Sequence, residues 1–237
     1  MRRADVLRWV VLDLLDGLRW EARSLRRTVL GEEFATGRPG FVPVVLVPGV
    51  YESWRFLQPL TEALHAAGHP VHVVDDLGFN GGDIAEAAER VRRSVDEAGV
   101  GPASGVALVG HSKGGLIGKQ VLVRHNADGR FRQLVTVNTP FAGSVRARWL
   151  PLPALRVFVP GSPLLRDLAV ATHVDAAITS VFSAVDPVVP GNDELPGATN
   201  VRLDTVGHFR VLSDPRLHEV VLRALRDGSA RAPGSPA

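Results

Sequence analysis

The chain has 237 residues, of which 45% are hydrophobic and 22% charged, and its formal net charge is +2. A chain of this length forms one domain of ordinary size with a substantial buried core. The small net charge, without a dense basic stripe, argues against a nucleic-acid-binding protein, and the absence of cysteine excludes disulfides, thiolate zinc sites and a cysteine nucleophile.

Residues 4–31 form the first predicted element, an amphipathic helix. Its apolar positions recur three or four residues apart, and they are Leu7, Val11, Leu14, Leu18, Ala22, Leu25 and Val29. Arginines and the side chains of Trp9 and Trp20 stand between them. The pattern leaves three interpretations open: the helix packs on the domain, lies in a membrane interface, or binds a partner.

The N-terminal segment does not fit a signal peptide. Asp13 and Asp16 interrupt what would be its hydrophobic region, and no stretch of the chain approaches the roughly 18 apolar residues that span a bilayer. We therefore expect a cytoplasmic protein, with peripheral membrane contact through residues 4–31 as the alternative. A linker that contains glycine and proline, ATGRPGF at 35–41, follows the helix.

From residue 42 the chain alternates between short apolar runs and longer helical runs. Strands are predicted at 42–47, 71–74, 106–109, 131–137, 177–183 and 201–203. Helices are predicted at 54–67, 83–98, 112–125 and 214–226. This alternation predicts an α/β fold with a predominantly parallel sheet of about six strands, flanked by helices on both faces. Residues 228–237 are poor in apolar side chains, and we expect them to be disordered.

Residues 140–170 interrupt the alternation with prolines and bulky apolar side chains, among them Trp149 and Leu152. Long excursions at the carboxyl edge of a parallel sheet usually carry function, because ligands bind outside the carboxyl ends of the strands. We expect this segment to form a lid or an acyl-binding wall. Ordinary core packing of a long connection is the alternative.

The stretch VALVGHSKGGLIG, at residues 106–118, carries the main functional signal. It places Ser112 between Gly110 and Gly114, with a predicted strand before it and a predicted helix after it. A nucleophilic serine on a sharp strand-to-helix turn needs small residues at those two positions. The helix N-terminus also directs N–H groups toward negative charge that forms beside the serine. We predict that Ser112 is a nucleophile; the alternative is a serine that caps a glycine-rich turn.

A serine hydroxyl needs a base, and the base needs an orienting acid. In folds with this turn the order along the chain is serine, acid, histidine. His208 follows the last predicted strand and precedes the last helix, and Asp186 follows the strand before it. We predict these two as base and acid. The other candidates are His173, His218, Asp193, Glu194 and Asp204.

Two backbone N–H groups must stabilise the oxyanion that forms when the serine attacks. One belongs to the residue after the nucleophile, Lys113. The other is expected in the turn LVPGVYESW (46–54), where Gly49 allows close backbone approach. We assign it to Val50, with Tyr51 as the alternative. A plain strand-to-helix turn would carry the same residues without that role.

Several segments occur in the order seen in one family of enzymes. They are GHSKGG (110–115), VNTPFAGS (137–144), PGSPLLRDL (160–168), SVFSAVDPVVP (180–190) and VGHFRVLSDPRLHEVVLRAL (206–225). Over residues 42–226 the chain resembles the α/β-hydrolase superfamily, and within it the bacterial lipases and esterases of minimal size, including actinobacterial types. It departs from most of these lipases at Pro48 and Phe141, where they carry histidine, which changes the walls near the acyl site.

The resemblance implies an α/β-hydrolase domain over 38–227, preceded by an N-terminal helix and linker at 1–37. It implies a serine hydrolase that cleaves carboxylic esters with apolar acyl chains, without a metal or organic cofactor, and that acts on a small-molecule ester or a lipid. An acyltransferase or thioesterase with the same triad, and a non-catalytic binding module, are the alternatives. Candidate substrate contacts are Tyr51, Phe141, Trp149 and Leu152. The sequence leaves the oligomeric state open.

Overall fold

The structure is a computed structural model that describes residues 3–24, 30–149, 152–191 and 194–230. Six strands are present: β1 (Val44–Val47), β2 (Val71–Val73), β3 (Val106–His111), β4 (Phe131–Val137), β5 (Ile178–Val185) and β6 (Thr199–Val206). They form one sheet in the order β2-β1-β3-β4-β5-β6, and every neighbouring pair is parallel. The predicted sheet of about six strands is confirmed.

Helices cover both faces of the sheet. They are α1 (Arg3–Ser24), α2 (Gln58–Ala67), α3 (Ile84–Glu97), α4 (Lys113–Arg124), α5 (Pro163–Val170) and α6 (Pro215–Ala230). Neighbouring residues of a strand point to opposite faces, so Val45 and Leu108 pack with α3 and α4, whereas Leu46 and Val109 pack with α2 and α6. Because both faces are covered, β3 is buried along its whole length.

The N-terminal helix packs on the domain through a different face from the one that its apolar pattern predicts. Val11 and Leu18 are 47% and 66% exposed, and Ala22 is also exposed. Among the side chains of this helix that the structure describes, the buried positions are Asp13 and Gly17. A Cβ added at Gly17 would lie 3.2 Å from the Phe209 ring, so the helix approaches that ring closely.

The boundaries of the first and last helices also differ from the prediction. Helix α1 is described over Arg3–Ser24, and Gly31, which the prediction placed in it, begins a separate 3₁₀ helix. Leu25 and Val29 and the side chains of Leu7, Leu14 and Trp20 lie outside the described part of the chain. Helix α6 runs to Ala230, so residues 228–230 are helical rather than disordered, and residues 231–237 lie outside the described part.

The excursion at 140–170 combines packed and exposed parts. It contains two 3₁₀ helices, Val145–Trp149 and Pro153–Phe158, followed by α5. Phe158 and Leu165 pack into the core, whereas Trp149 is 86% exposed. Residues 150 and 151 lie outside the described part. The base of the segment thus packs like an ordinary connection, and its role as a lid stays a prediction.

Among the described helices, none is both long enough and apolar enough to cross a membrane.

Candidate active site

Ser112 lies between β3 and α4 in a strained backbone conformation, with φ 51° and ψ −117°. Such a conformation costs about 1–3 kcal/mol for a residue with a side chain, and the surroundings must hold it in place. The N–H of Ser112 donates to the carbonyl oxygen of Val137 over 2.8 Å. A Cβ added at Gly114 would lie 2.0 Å from the carbonyl oxygen of Val47, and one at Gly110 would lie 2.4 Å from the backbone of Gly114. The turn therefore has the geometry that the glycine pattern predicts for a nucleophile.

Asp186 and His208 meet at the carboxyl edge of the sheet, one just beyond the end of β5 and the other just beyond β6. Nδ1 of His208 lies 2.7 Å from Oδ2 of Asp186, and both side chains are buried. The other carboxylate oxygen, Oδ1, accepts the N–H groups of Val188 and Val189, each over 2.8 Å. One oxygen is thus fixed by the loop and the other orients the histidine. Nε2 is the ring nitrogen that remains for proton transfer.

Burial and the ion pair act in opposite directions on these two groups. Burial lowers the pKa of His208, but the charge of Asp186 and the hydrogen bond to it, together with the charges of Glu52 and Asp13, outweigh burial, so that the pKa lies above its usual value. Burial raises the pKa of Asp186, but His208 and the two loop N–H groups outweigh it and hold the pKa below the usual value. A base must be neutral to accept a proton, so the site favours proton transfer at a pH above the raised pKa of His208.

A carboxylate of the N-terminal helix holds the loop that carries His208. Oδ2 of Asp13 accepts the N–H of His208 over 2.8 Å, and Oδ1 accepts those of Phe209 and Arg210 over 2.9 and 3.1 Å. Asp13 is completely buried. Sequence reasoning missed this role, since Asp13 was noted only as one of two acidic residues that interrupt an apolar segment.

Asn138 holds the same loop from the opposite side. It follows β4 with φ 49°, and its Nδ2 donates to the carbonyl oxygens of Gly207 and His208 over 3.2 and 3.1 Å. Its Oδ1 accepts the N–H of Ser183 over 2.8 Å. The segment VNTPFAGS thus contributes an amide that links β5 to residues 207–210, the base loop that carries His208. Sequence reasoning did not assign this role.

A buried pair, Glu52 and His111, connects three parts of the site. Oε2 of Glu52 accepts the N–H of Gly49 over 2.7 Å and lies 2.9 Å from Nδ1 of His111. Nε2 of His111 lies 3.1 Å from the carbonyl oxygen of His208. The pair therefore links the turn after β1, the turn that carries Ser112 and the base loop.

The two predicted oxyanion donors lie on segments that pack against each other. Lys113 is the first residue of α4, where backbone N–H groups have no partner within the helix. A Cβ at Gly114 would also lie 2.9 Å from the carbonyl oxygen of Pro48, so the turn that carries Val50 packs against this helix terminus. The assignment of the two N–H groups to an oxyanion hole stays a prediction.

The four candidate substrate contacts lie in different surroundings. Tyr51 and Leu152 are 47% and 43% exposed, and Trp149 is more exposed than either. Phe141 is partly buried and lines a cavity of about 310 Å³, whose lining also includes Leu168 and the ion pair of Lys119 and Asp175 but none of Ser112, Asp186 and His208. No group of three or more histidine, aspartate and glutamate side chains in the described ranges is arranged to hold a metal ion.

Solved structures with a similar architecture include lipases and an esterase. Lipase B of Aspergillus fumigatus superposes with a TM-score of 0.66 at 19% identity over 80% of this chain, and this chain spans 53% of that protein, about half its length. The mature lipase BlEst2 of Bacillus licheniformis gives 0.58 at 20% identity over 80% of this chain and 94% of that one.

The naproxen esterase of Bacillus subtilis gives a TM-score of 0.54 at 16% identity over 80% of this chain and 85% of that one. No protein-family model and no curated protein matches the sequence. At these identities the likeness concerns the fold. The chain has the α/β-hydrolase fold, and lipases and esterases are among its structural neighbours.

Proposed function

We propose that the protein is a serine hydrolase that cleaves carboxylic esters through an acyl-enzyme. The observation that carries the proposal is the strained Ser112 at the same sheet edge as the buried, hydrogen-bonded pair of Asp186 and His208. A positive φ at a serine is costly unless the fold maintains it. A buried histidine oriented by a carboxylate is the partner that an activated serine requires.

The reaction follows from this arrangement. His208 takes the hydroxyl proton of Ser112 as Oγ attacks the ester carbonyl carbon, and Asp186 stabilises the imidazolium that forms. The N–H groups of Val50 and Lys113 stabilise the oxyanion. His208 then donates its proton to the leaving alcohol, and water repeats the sequence at the acyl-enzyme to release the acid.

Apolar acyl chains are the substrates that the surroundings favour. The excursion at 140–170 presents Trp149 and Leu152 to solvent, where an apolar side chain gains by contact with an apolar ligand. Two of the structural neighbours are lipases and a third is an esterase. The excursion serves as a lid or acyl wall in this proposal.

Hydrolysis of p-nitrophenyl esters from acetate to palmitate tests the proposal, with wild type compared to Ser112→Ala. We expect the variant to lose at least about a thousandfold in kcat, because the nucleophile is absent. Circular dichroism checks that the variant is folded. Equal activity in the two proteins, or no activity of the wild type on any ester, would contradict ester hydrolysis. Repeating the assay with an added alcohol separates hydrolysis from acyl transfer.

A further inference from the structure

The side chain of Lys113 has no part in the reaction described above, although its backbone N–H does. It is completely buried, and its ammonium donates to the carbonyl oxygens of Asn80 and Gly82 over 2.8 and 2.5 Å. Burial lowers the pKa of Lys113 to about 8, and the charge of Asp83 opposes this decrease. At neutral pH the side chain is therefore still an ammonium. A buried charge is costly unless it is well bonded, so this arrangement needs a physical reason.

The loop of Asn80 and Gly82, which binds the ammonium, contacts the turn at 46–54 that carries Val50 and is called the oxyanion turn below. Asn80 is buried and has φ 47°, a left-handed conformation that asparagine tolerates better than most residues. Its Nδ2 donates to the carbonyl oxygen of Pro48 over 2.7 Å. The contacts therefore run from the Lys113 ammonium to the backbone of Asn80, and from the side chain of Asn80 to the backbone of Pro48.

The peptide unit between Pro48 and Gly49 is held at both of its polar atoms. Asn80 binds its carbonyl oxygen, and Oε2 of Glu52 accepts its N–H over 2.7 Å. The unit is planar, so two bonds on opposite sides fix its rotation. The next N–H along the chain is that of Val50, the predicted oxyanion donor.

We propose, on the basis of the proposed function, that the Lys113 side chain is a positioning residue for the oxyanion hole. It fixes the loop of Asn80, which fixes the peptide before Gly49 and so directs the N–H of Val50 toward the site that the N–H of Lys113 also faces. Lys113 then serves twice, with its backbone as a donor and with its side chain as the support of the second donor. Oxyanion donors act through preorganisation, and a misplacement of about 1 Å costs up to about a hundredfold in rate.

The test is Lys113→Met, which keeps the backbone N–H and most of the aliphatic stem while it removes the ammonium. We expect kcat for p-nitrophenyl butyrate to fall about 10- to 100-fold with KM changed less than about threefold, because the support acts on the transition state rather than on ground-state binding. A burst titration with diethyl p-nitrophenyl phosphate gives the concentration of reactive serine, so that kcat refers to folded sites alone.

Asn80→Asp removes the donor to Pro48 and keeps the size and backbone tolerance of the side chain. It is expected to reproduce the loss in kcat, and the double variant should lose little more than either single variant, since the residues act in one series of contacts. Arg132→Met is the matched control: Arg132 also donates to two backbone carbonyl oxygens, those of Pro102 and Ala103, each over 3.0 Å, but it lies at the amino end of β4, away from the site.

The outcomes separate the proposals. The positioning role is overturned if Lys113→Met has the same kcat per titrated site as the wild type. It is also overturned if Arg132→Met loses as much kcat as Lys113→Met. Ester hydrolysis stands in both cases. Fully additive losses in the double variant also overturn the positioning role. Absence of both ester turnover and a burst in the wild type instead overturns the proposed function.

Discussion

The base loop and the oxyanion turn are held by side chains of the same two types. The two segments differ in how far along the chain those side chains lie from the backbone that they bind. Each is held by one buried carboxylate and one buried asparagine with positive φ. At the base loop these side chains bind three backbone N–H groups and two carbonyl oxygens, and at the oxyanion turn they bind one of each. The asparagines are Asn138 for the base loop and Asn80 for the oxyanion turn.

The carboxylates show the difference between the two loops. Asp13 lies 195 residues from the His208 N–H that it binds, whereas Glu52 lies three residues from Gly49. The oxyanion turn can therefore form locally, while the base loop depends on the docking of a helix from the other end of the chain. We infer that defects of the helix will affect the base before they affect the oxyanion hole.

His111 joins the two halves. Its Nδ1 faces the carboxylate of Glu52 and its Nε2 faces the carbonyl oxygen of His208. A carbonyl oxygen only accepts hydrogen bonds, so Nε2 donates to that of His208. His111 thereby connects the oxyanion turn with the base loop.

The largest expected effect on the base side is that of Asp186→Asn. Loss of the carboxylate removes the group that orients His208 and stabilises its charged form, so kcat should fall about 10⁴-fold. It also removes the largest influence that raises the pKa of His208 against burial, so the acid limb of the pH profile should move to lower pH. A kcat–pH series measures both, with circular dichroism as a control for folding. Activity within tenfold of the wild type would remove Asp186 from the triad.

The next largest effect is expected for Asp13, the carboxylate that lies far along the chain from the base loop. Asp13→Asn replaces one of two acceptor oxygens with an amino group that faces a backbone N–H, so we expect a loss of about 2–3 kcal/mol in the free energy of unfolding and about a tenfold decrease in kcat. Urea unfolding and ester turnover measure the two quantities. Asp16→Asn is the control, because Asp16 pairs with Arg210 and Arg19 nearer the surface and such pairs contribute about 0–1 kcal/mol. Equal effects of the two variants would contradict the special role of Asp13.

The smallest effect is expected for the local carboxylate. Glu52→Gln keeps an acceptor for Gly49, so kcat at its optimum should fall only about three- to tenfold. Burial lowers the pKa of His208 and Asp186 raises it most, but Glu52 raises it further. Because His208 acts as a neutral base, the variant should stay active to lower pH than the wild type. An unchanged acid limb of the pH profile would contradict an influence of Glu52 on the pKa of His208. The same shift in the control Glu86→Gln, at an exposed position, would contradict it as well.

The features that were predictable from the sequence are those with local causes. Gly110 and Gly114 around Ser112, together with a strand before and a helix after, specify the nucleophile turn within a dozen residues. Asp186 and His208 followed from their positions after successive strands of a parallel sheet, since the carboxyl ends of such strands share one edge. The structure brings that pair within hydrogen-bond distance.

The features that escaped prediction are contacts between a side chain and a distant backbone. Apolar periodicity finds an apolar face, but α1 docks by hydrogen bonds and close approach, and so it buries Asp13 and Gly17. Asn138 and the Lys113 side chain likewise bind backbone atoms. Backbone acceptors and donors have no sequence signature, so nothing in the chain marks their partners.

The docking of α1 through Asp13 has a thermodynamic consequence. Three backbone N–H groups next to the His208 imidazole would be left unsatisfied if the helix departed, so helix docking and loop order form one equilibrium rather than two. Coupling of this kind is reciprocal. Any ligand that binds only the ordered base loop must tighten the attachment of the N-terminal helix by the same factor by which the attached helix strengthens that ligand.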